Sequence, residues 1–157
     1  MLEKINAWID DTNRKNYDRR RACTEFAQAF AGFYAPEFLA SAYFVVTDDI
    51  PRPDFPELRQ MGFGDFMDMP ASGTTYKDTY YIRSSAVSAL RVHFHELVHV
   101  VQWRELGALN FIQRYMKEIL TCGYADAPLE IMAYDLDKRY GAKVDAFDIP
   151  EYVIRNL

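Results

Sequence analysis

The sequence predicts an α+β fold, mostly helical, with a small sheet of two or three strands packed on one central helix. Three observations carry that expectation. Several long stretches space apolar residues three and four apart. Two short runs are β-branched, aromatic or alternating, and helix-ending glycines and prolines fall between the segments. Half of the 157 residues are hydrophobic and 15% are aromatic, enough to bury one core without staples. The chain 1–157 therefore reads as a single domain.

Within 1–73, residues 2–33 read as helical, with one stripe at Leu2, Ile5, Trp8 and Ile9 and another at Ala22, Phe26, Phe30 and Phe33. Arg19, Arg20 and Arg21 fall on that helix as a solvated face. Ser41–Thr47 is rich in strand-favouring residues. Pro51, Pro53 and Pro56 open a long connection up to Gly73, with a short helix near Pro56–Met61. Within 74–141, Thr74–Arg83 alternates and reads as one half-buried strand. Tyr76, Asp78, Tyr80 and Ile82 share one side; Thr75, Lys77, Thr79, Tyr81 and Arg83 share the other. Ser84 or Ser85 caps a helix that runs to Leu106 and stops at Gly107. A further helix covers Leu109–Leu120 and closes at Gly123. Another opens with Pro128 at its first position and ends at Gly141. Residues 142–157 form a C-terminal tail.

Composition narrows the function classes. A formal charge of −5 and an isoelectric point near 5.2 argue against a nucleic-acid partner, which needs clustered Lys and Arg. No run of apolar residues approaches a membrane span, and the N-terminus lacks a signal-peptide pattern, so no membrane partner and a cytoplasmic location are expected. Cys23 and Cys122 lack metal-site spacing and read as buried free thiols.

All three histidines lie in Arg91–Val101 (RVHFHELVHVV). At roughly 100° per helical residue, His95 and His99 share one face one turn apart, as two ligands of one ion require. Glu96 projects beside that face, where its carboxylate can hold and deprotonate a water. Val87, Leu90, Phe94, Leu97, Val98 and Val101 gather on the opposite side, an apolar stripe that leaves the polar face open. His93 points roughly 160° from His95 and reads as a structural or surface residue.

Two histidines leave a tetrahedral ion one protein ligand short. With no further histidine on that face, a downstream carboxylate is needed. Glu130, in the first turn of the Pro128 helix, is favoured over Asp126 and Asp135.

His95–Trp103 (HELVHVVQW), Gly123-Tyr124 and the Pro-x-Glu-x-x-Ala of Pro128–Ala133 together resemble the small gluzincin metallopeptidase-like families, over residues 74–135. The resemblance implies a zincin-like fold in which the two helices meet at Zn2+ and the preceding strand flanks the cleft. His95, His99 and Glu130 then become the metal ligands and Glu96 the catalytic base. The chain departs from the pattern at Met132, where relatives often carry a second glutamate.

The implied reaction is zinc-dependent hydrolysis of a peptide or protein substrate. Tyr134, one turn beyond Glu130, is the first candidate for a donor to the oxyanion, ahead of Tyr124 and His93. Asp137 could orient a ligand imidazole. The alternative is a zinc-binding module of the same type that acts through protein interaction without turnover.

Overall fold

The computed structural model describes all 157 residues. It is α+β, mostly helical, with one mixed sheet of four strands rather than the expected two or three. The elements are α1 (Leu2–Lys15), β1 (Arg21–Ala22), α2 (Pro36–Ala40), β2 (Tyr43–Val46), α3 (Pro56–Leu58), α4 (Gly64–Asp68), β3 (Gly73–Tyr76), β4 (Thr79–Ile82), α5 (Leu90–Leu106), α6 (Ala108–Cys122), α7 (Pro128–Gly141) and α8 (Ile149–Asn156). The sheet order is β1-β2-β4-β3, with β2 and β4 parallel and the other pairs antiparallel.

Both extra strands come from segments whose periodicity points elsewhere. The helix expected over 2–33 ends at Lys15, because Arg21 and Ala22 pair with Phe44 and Tyr43 of β2. Beyond them a 3-10 turn (Cys23–Phe26) and successive turns still bury Phe26, Phe30 and Phe33 on one side. The single strand expected over Thr74–Arg83 is a hairpin. Lys77, with φ 63°, and Asp78 form its two-residue turn, and Tyr76 pairs with Thr79. That turn inverts the alternation, since paired residues share a face. Tyr76 and Tyr81 therefore lie together, towards Trp8 and the Thr12 carbonyl of α1. Thr75 and Tyr80 lie on the other face, towards Glu96 and His93 of α5.

The sheet thus divides the core in two. Phe44, Tyr80 and Ile82 pack with Phe94, Leu97 and Val101 of α5, Leu136 of α7 and Val153 of α8. Val45, Tyr76 and Tyr81 pack with Ile5 and Ile9 of α1, Trp103 and Phe111. The expected tail, 142–157, contains α8. Asp148 caps it by accepting from the Glu151 N–H at 3.0 Å, and Ile149 and Val153 are fully buried. Gly107 and Gly123 end α5 and α6 with positive φ (80° and 79°), as their positions after the apolar stripes suggest. Of the two thiols, Cys23 is buried but Cys122 is exposed. No helix is long and apolar enough to cross a membrane.

α5 is the centre of the fold. Its residues from His93 to Trp103 are all buried, so this central stretch has no face open to bulk solvent. The polar face expected to be open is instead the floor of a cavity walled by α1, α3, α4, β3, α6 and α7.

Candidate metal centre

His95 and His99 stand one turn apart on α5, and Glu130 enters from the first turn of α7. The ligating atoms converge closely. His95 Nε2 and His99 Nε2 are 3.2 Å apart, and Glu130 Oε1 lies 3.1 Å from the first and 3.2 Å from the second. These three side chains form a buried group that could hold a metal ion. Donors at zinc distances of 2.0–2.1 Å in a tetrahedron stand about 3.3 Å from one another. The observed triangle fits that requirement to within a few tenths of an ångström.

Each of the three has a partner that fixes its orientation. His95 Nδ1–H donates to Asp137 Oδ2 at 2.9 Å, and Arg91 grips the other oxygen, its Nη2 lying 2.7 Å from Oδ1. His99 Nδ1–H donates to Gln102 Oε1 at 2.7 Å, while Gln102 Nε2 donates to the Leu129 carbonyl at 3.0 Å. Tyr115 of α6 donates to Glu130 Oε2 at 2.6 Å. With both Nδ1 positions occupied by N–H donors, both Nε2 lone pairs face the ligand group.

Glu130 is also released from the duty that its position would ordinarily impose. A first-turn glutamate commonly answers free helix N–H groups. Here Glu118 of α6 does so, accepting from the Leu129 N–H at 2.8 Å through one oxygen and from Arg114 Nε at 2.9 Å through the other. Asp126 and Asp135 are exposed and outside the cavity, and Asp135 pairs with Arg139.

The imidazoles and the carboxylates stabilise one another's charge. Burial opposes charge on His95 and His99. The carboxylates of Asp137 and Glu130 at His95, and of Glu130 at His99, outweigh it and raise both imidazoles. Burial likewise disfavours a charged Glu130, but the two imidazoles hold its carboxyl far below the usual range.

Glu96 lies beside the group, not in it. It is buried, and its one side-chain partner is Thr75 Oγ1 at 3.5 Å. Burial raises its carboxyl above the usual range, partly offset by the neighbouring imidazoles. Gly73 of β3 makes room for it: a Cβ at that position would stand 3.0 Å from Glu96 Oε1.

Tyr134 lines the same cavity, with its ring 4.4 Å from that of His95. Its hydroxyl is 2.9 Å from that of Tyr124, so the two candidate donors form a pair at the rim. His93 has no part in the site. It spans the Tyr80 hydroxyl at 2.6 Å and the Val87 carbonyl at 2.7 Å, on the far side of α5.

Asp137, expected to orient an imidazole, does so. Tyr115, Gln102 and Thr75 were not anticipated. Only Gln102 left a signal, three residues after His99 on the same helix face.

Comparison with known proteins finds no match among family models, curated proteins or solved structures.

Proposed function

We propose that this chain is a zinc-dependent peptide hydrolase of the gluzincin type. The observation that carries the reading is the convergence of two imidazole nitrogens and one carboxylate oxygen, 3.1–3.2 Å apart, in a cavity that also holds Glu96. Two imidazoles and a carboxylate suit zinc, and three protein ligands leave the fourth position to water or substrate, the catalytic pattern. A zinc ion held by His95, His99 and Glu130 would supply Lewis acidity and a water with a pKa near 7.

The chain's own residues supply the remainder. Glu96, whose carboxyl is raised by burial, takes a proton from the attacking water and returns it to the leaving amine as the C–N bond breaks. Thr75 Oγ1 donates to that carboxylate at 3.5 Å, and the glycine at position 73 leaves room for it. Tyr134, paired with Tyr124, is the candidate donor to the oxyanion. β3 is one of the sheet's two edge strands and lines the cavity, so an extended peptide can add to it through backbone bonds.

Glu96→Gln tests this reading against a generic peptide library. The variant keeps its metal and loses hydrolysis by about 10²-fold or more. Turnover close to wild type would remove Glu96 from the reaction. Absence of cleavage by the wild-type, metal-loaded protein would favour the non-catalytic zinc module.

A further inference from the structure

The two oxygens of Glu130 face different groups. Oε1 lies 3.1 Å from His95 Nε2 and 3.2 Å from His99 Nε2. Oε2 accepts from the Tyr115 hydroxyl at 2.6 Å, the short distance of a hydroxyl bonded to a carboxylate. Only Oε1 therefore belongs to the candidate ligand group.

The hydroxyl is placed by α6, a helix that carries none of the three candidate ligands. The ring of Tyr115 is stacked on Phe111 at 5.5 Å and set edge-on to Phe66 at 6.0 Å. Glu118, one turn further along the same face of α6, accepts from the Leu129 N–H at 2.8 Å. α6 thus meets the first turn of α7 twice, once at the backbone beside Glu130 and once at the Glu130 side chain. A ring packed between two others cannot swing to follow the carboxylate, so the bond lasts only while Oε2 stays turned towards α6.

We propose that Tyr115 is a positioning residue that keeps Glu130 a one-oxygen ligand and so keeps one coordination position free. This rests on the zinc site of the reading above, not on its peptide substrate. A carboxylate can offer a cation one oxygen or both. Were Oε2 released, it could turn to the ion and take the place that three protein ligands leave to water or substrate. The bond to Tyr115 opposes that rotation, because turning Oε2 away leaves a hydroxyl inside the protein without its partner. Tyr115→Phe removes the hydroxyl and retains the ring that packs against Phe111 and Phe66.

The test compares full-length wild type with Tyr115→Phe, loaded with zinc for crystallography and with cobalt for visible spectroscopy. In the wild type, Oε1 alone should lie at about 2.0–2.2 Å from the zinc. In Tyr115→Phe, Oε2 should leave α6 and bind as well. Azide, a small anion that enters a free coordination position and alters the cobalt spectrum, should bind the variant at least about tenfold more weakly than the wild type. Tyr140→Phe, which removes a hydroxyl of α7 bonded to the Ala29 carbonyl, should match the wild type in both measurements. Zinc held by both Glu130 oxygens in the wild type would overturn the inference, whether or not the variant folds. So would wild-type coordination or wild-type azide affinity in Tyr115→Phe, and these results leave the zinc site standing. A wild type that takes up neither metal sinks the zinc site, and the inference with it. Cleavage of peptides, or its absence, bears on the hydrolase reading alone.

Discussion

Asp137 holds His95 by the edge of the ring that faces away from the ligand group. Its Oδ2 accepts from His95 Nδ1–H at 2.9 Å, while Nε2 of the same ring lies 3.1 Å from Glu130. Asp137 sits two turns beyond Glu130 on α7, so one helix supplies both a candidate ligand and the partner of another. Partners of this kind usually contribute about 10–100-fold to metal affinity. Asp137→Ala should weaken zinc binding by that factor with helix content unchanged. Competition against a chromophoric chelator measures it, and an unaltered affinity would show that Asp137 serves only to pair with Arg91.

Gly73 offers a test of Glu96 that leaves the ligands untouched. An added methyl would meet Glu96 Oε1 at 3.0 Å and the Tyr81 carbonyl at 3.2 Å. Glu96 is the softer neighbour and should move, lowering turnover by roughly 10–100-fold in Gly73→Ala, since an ångström of misplacement carries such losses. Metal stoichiometry should stay at the wild-type value. Steady-state kinetics with metal analysis decides the matter, and full activity would mean that Glu96 tolerates displacement.

Phe94 is the mechanical anchor of α5. It is fully buried, with its ring stacked on Tyr140 at 4.6 Å and set edge-on to Phe30, Phe33 and Tyr34 at 5.0–5.4 Å. Phe94→Ala should cost about 3–5 kcal/mol, the range for truncating a buried aromatic residue. Urea unfolding reads the loss directly. A change below about 1 kcal/mol would show that the cluster closes over the gap.

The two thiols should react differently. Burial pushes Cys23 up to about 12, well above neutrality, whereas Cys122 is exposed on the last turn of α6. Because the thiolate is the nucleophile, an aromatic disulfide reagent at pH 8 should titrate one thiol in native protein and two in denaturant. Two fast native thiols would contradict the packing around Cys23.

The His95–His99 pair was legible in the sequence because it depends on helix geometry, which a spacing of four residues fixes without any tertiary knowledge. Glu130 was legible through chemistry, as the carboxylate that a two-histidine site lacks. Its partner Tyr115 was not, since nothing local distinguishes a tyrosine that reaches a neighbouring helix from one that packs. Elsewhere the patterns misled for specific reasons. Phe26, Phe30 and Phe33 are buried as their spacing implies, yet consecutive turns hold them, because Arg21 and Ala22 are drawn into the sheet. Alternation ran unbroken through Lys77 and Asp78 because a two-residue turn carries no glycine or proline signal here. In the 142–157 segment, expected as a tail, the Asp148 cap and Pro150 mark the start of α8.

In the proposed function, His95 and His99 of α5 and Glu130 of α7 hold one ion between them. Elemental analysis of untagged protein purified without chelator tests it most directly. Wild-type protein should carry about one zinc per chain and Glu130→Ala almost none, with the fold of that variant verified by circular dichroism. A metal-free wild type that cannot be loaded, or a Glu130→Ala protein that keeps its full complement, would contradict it.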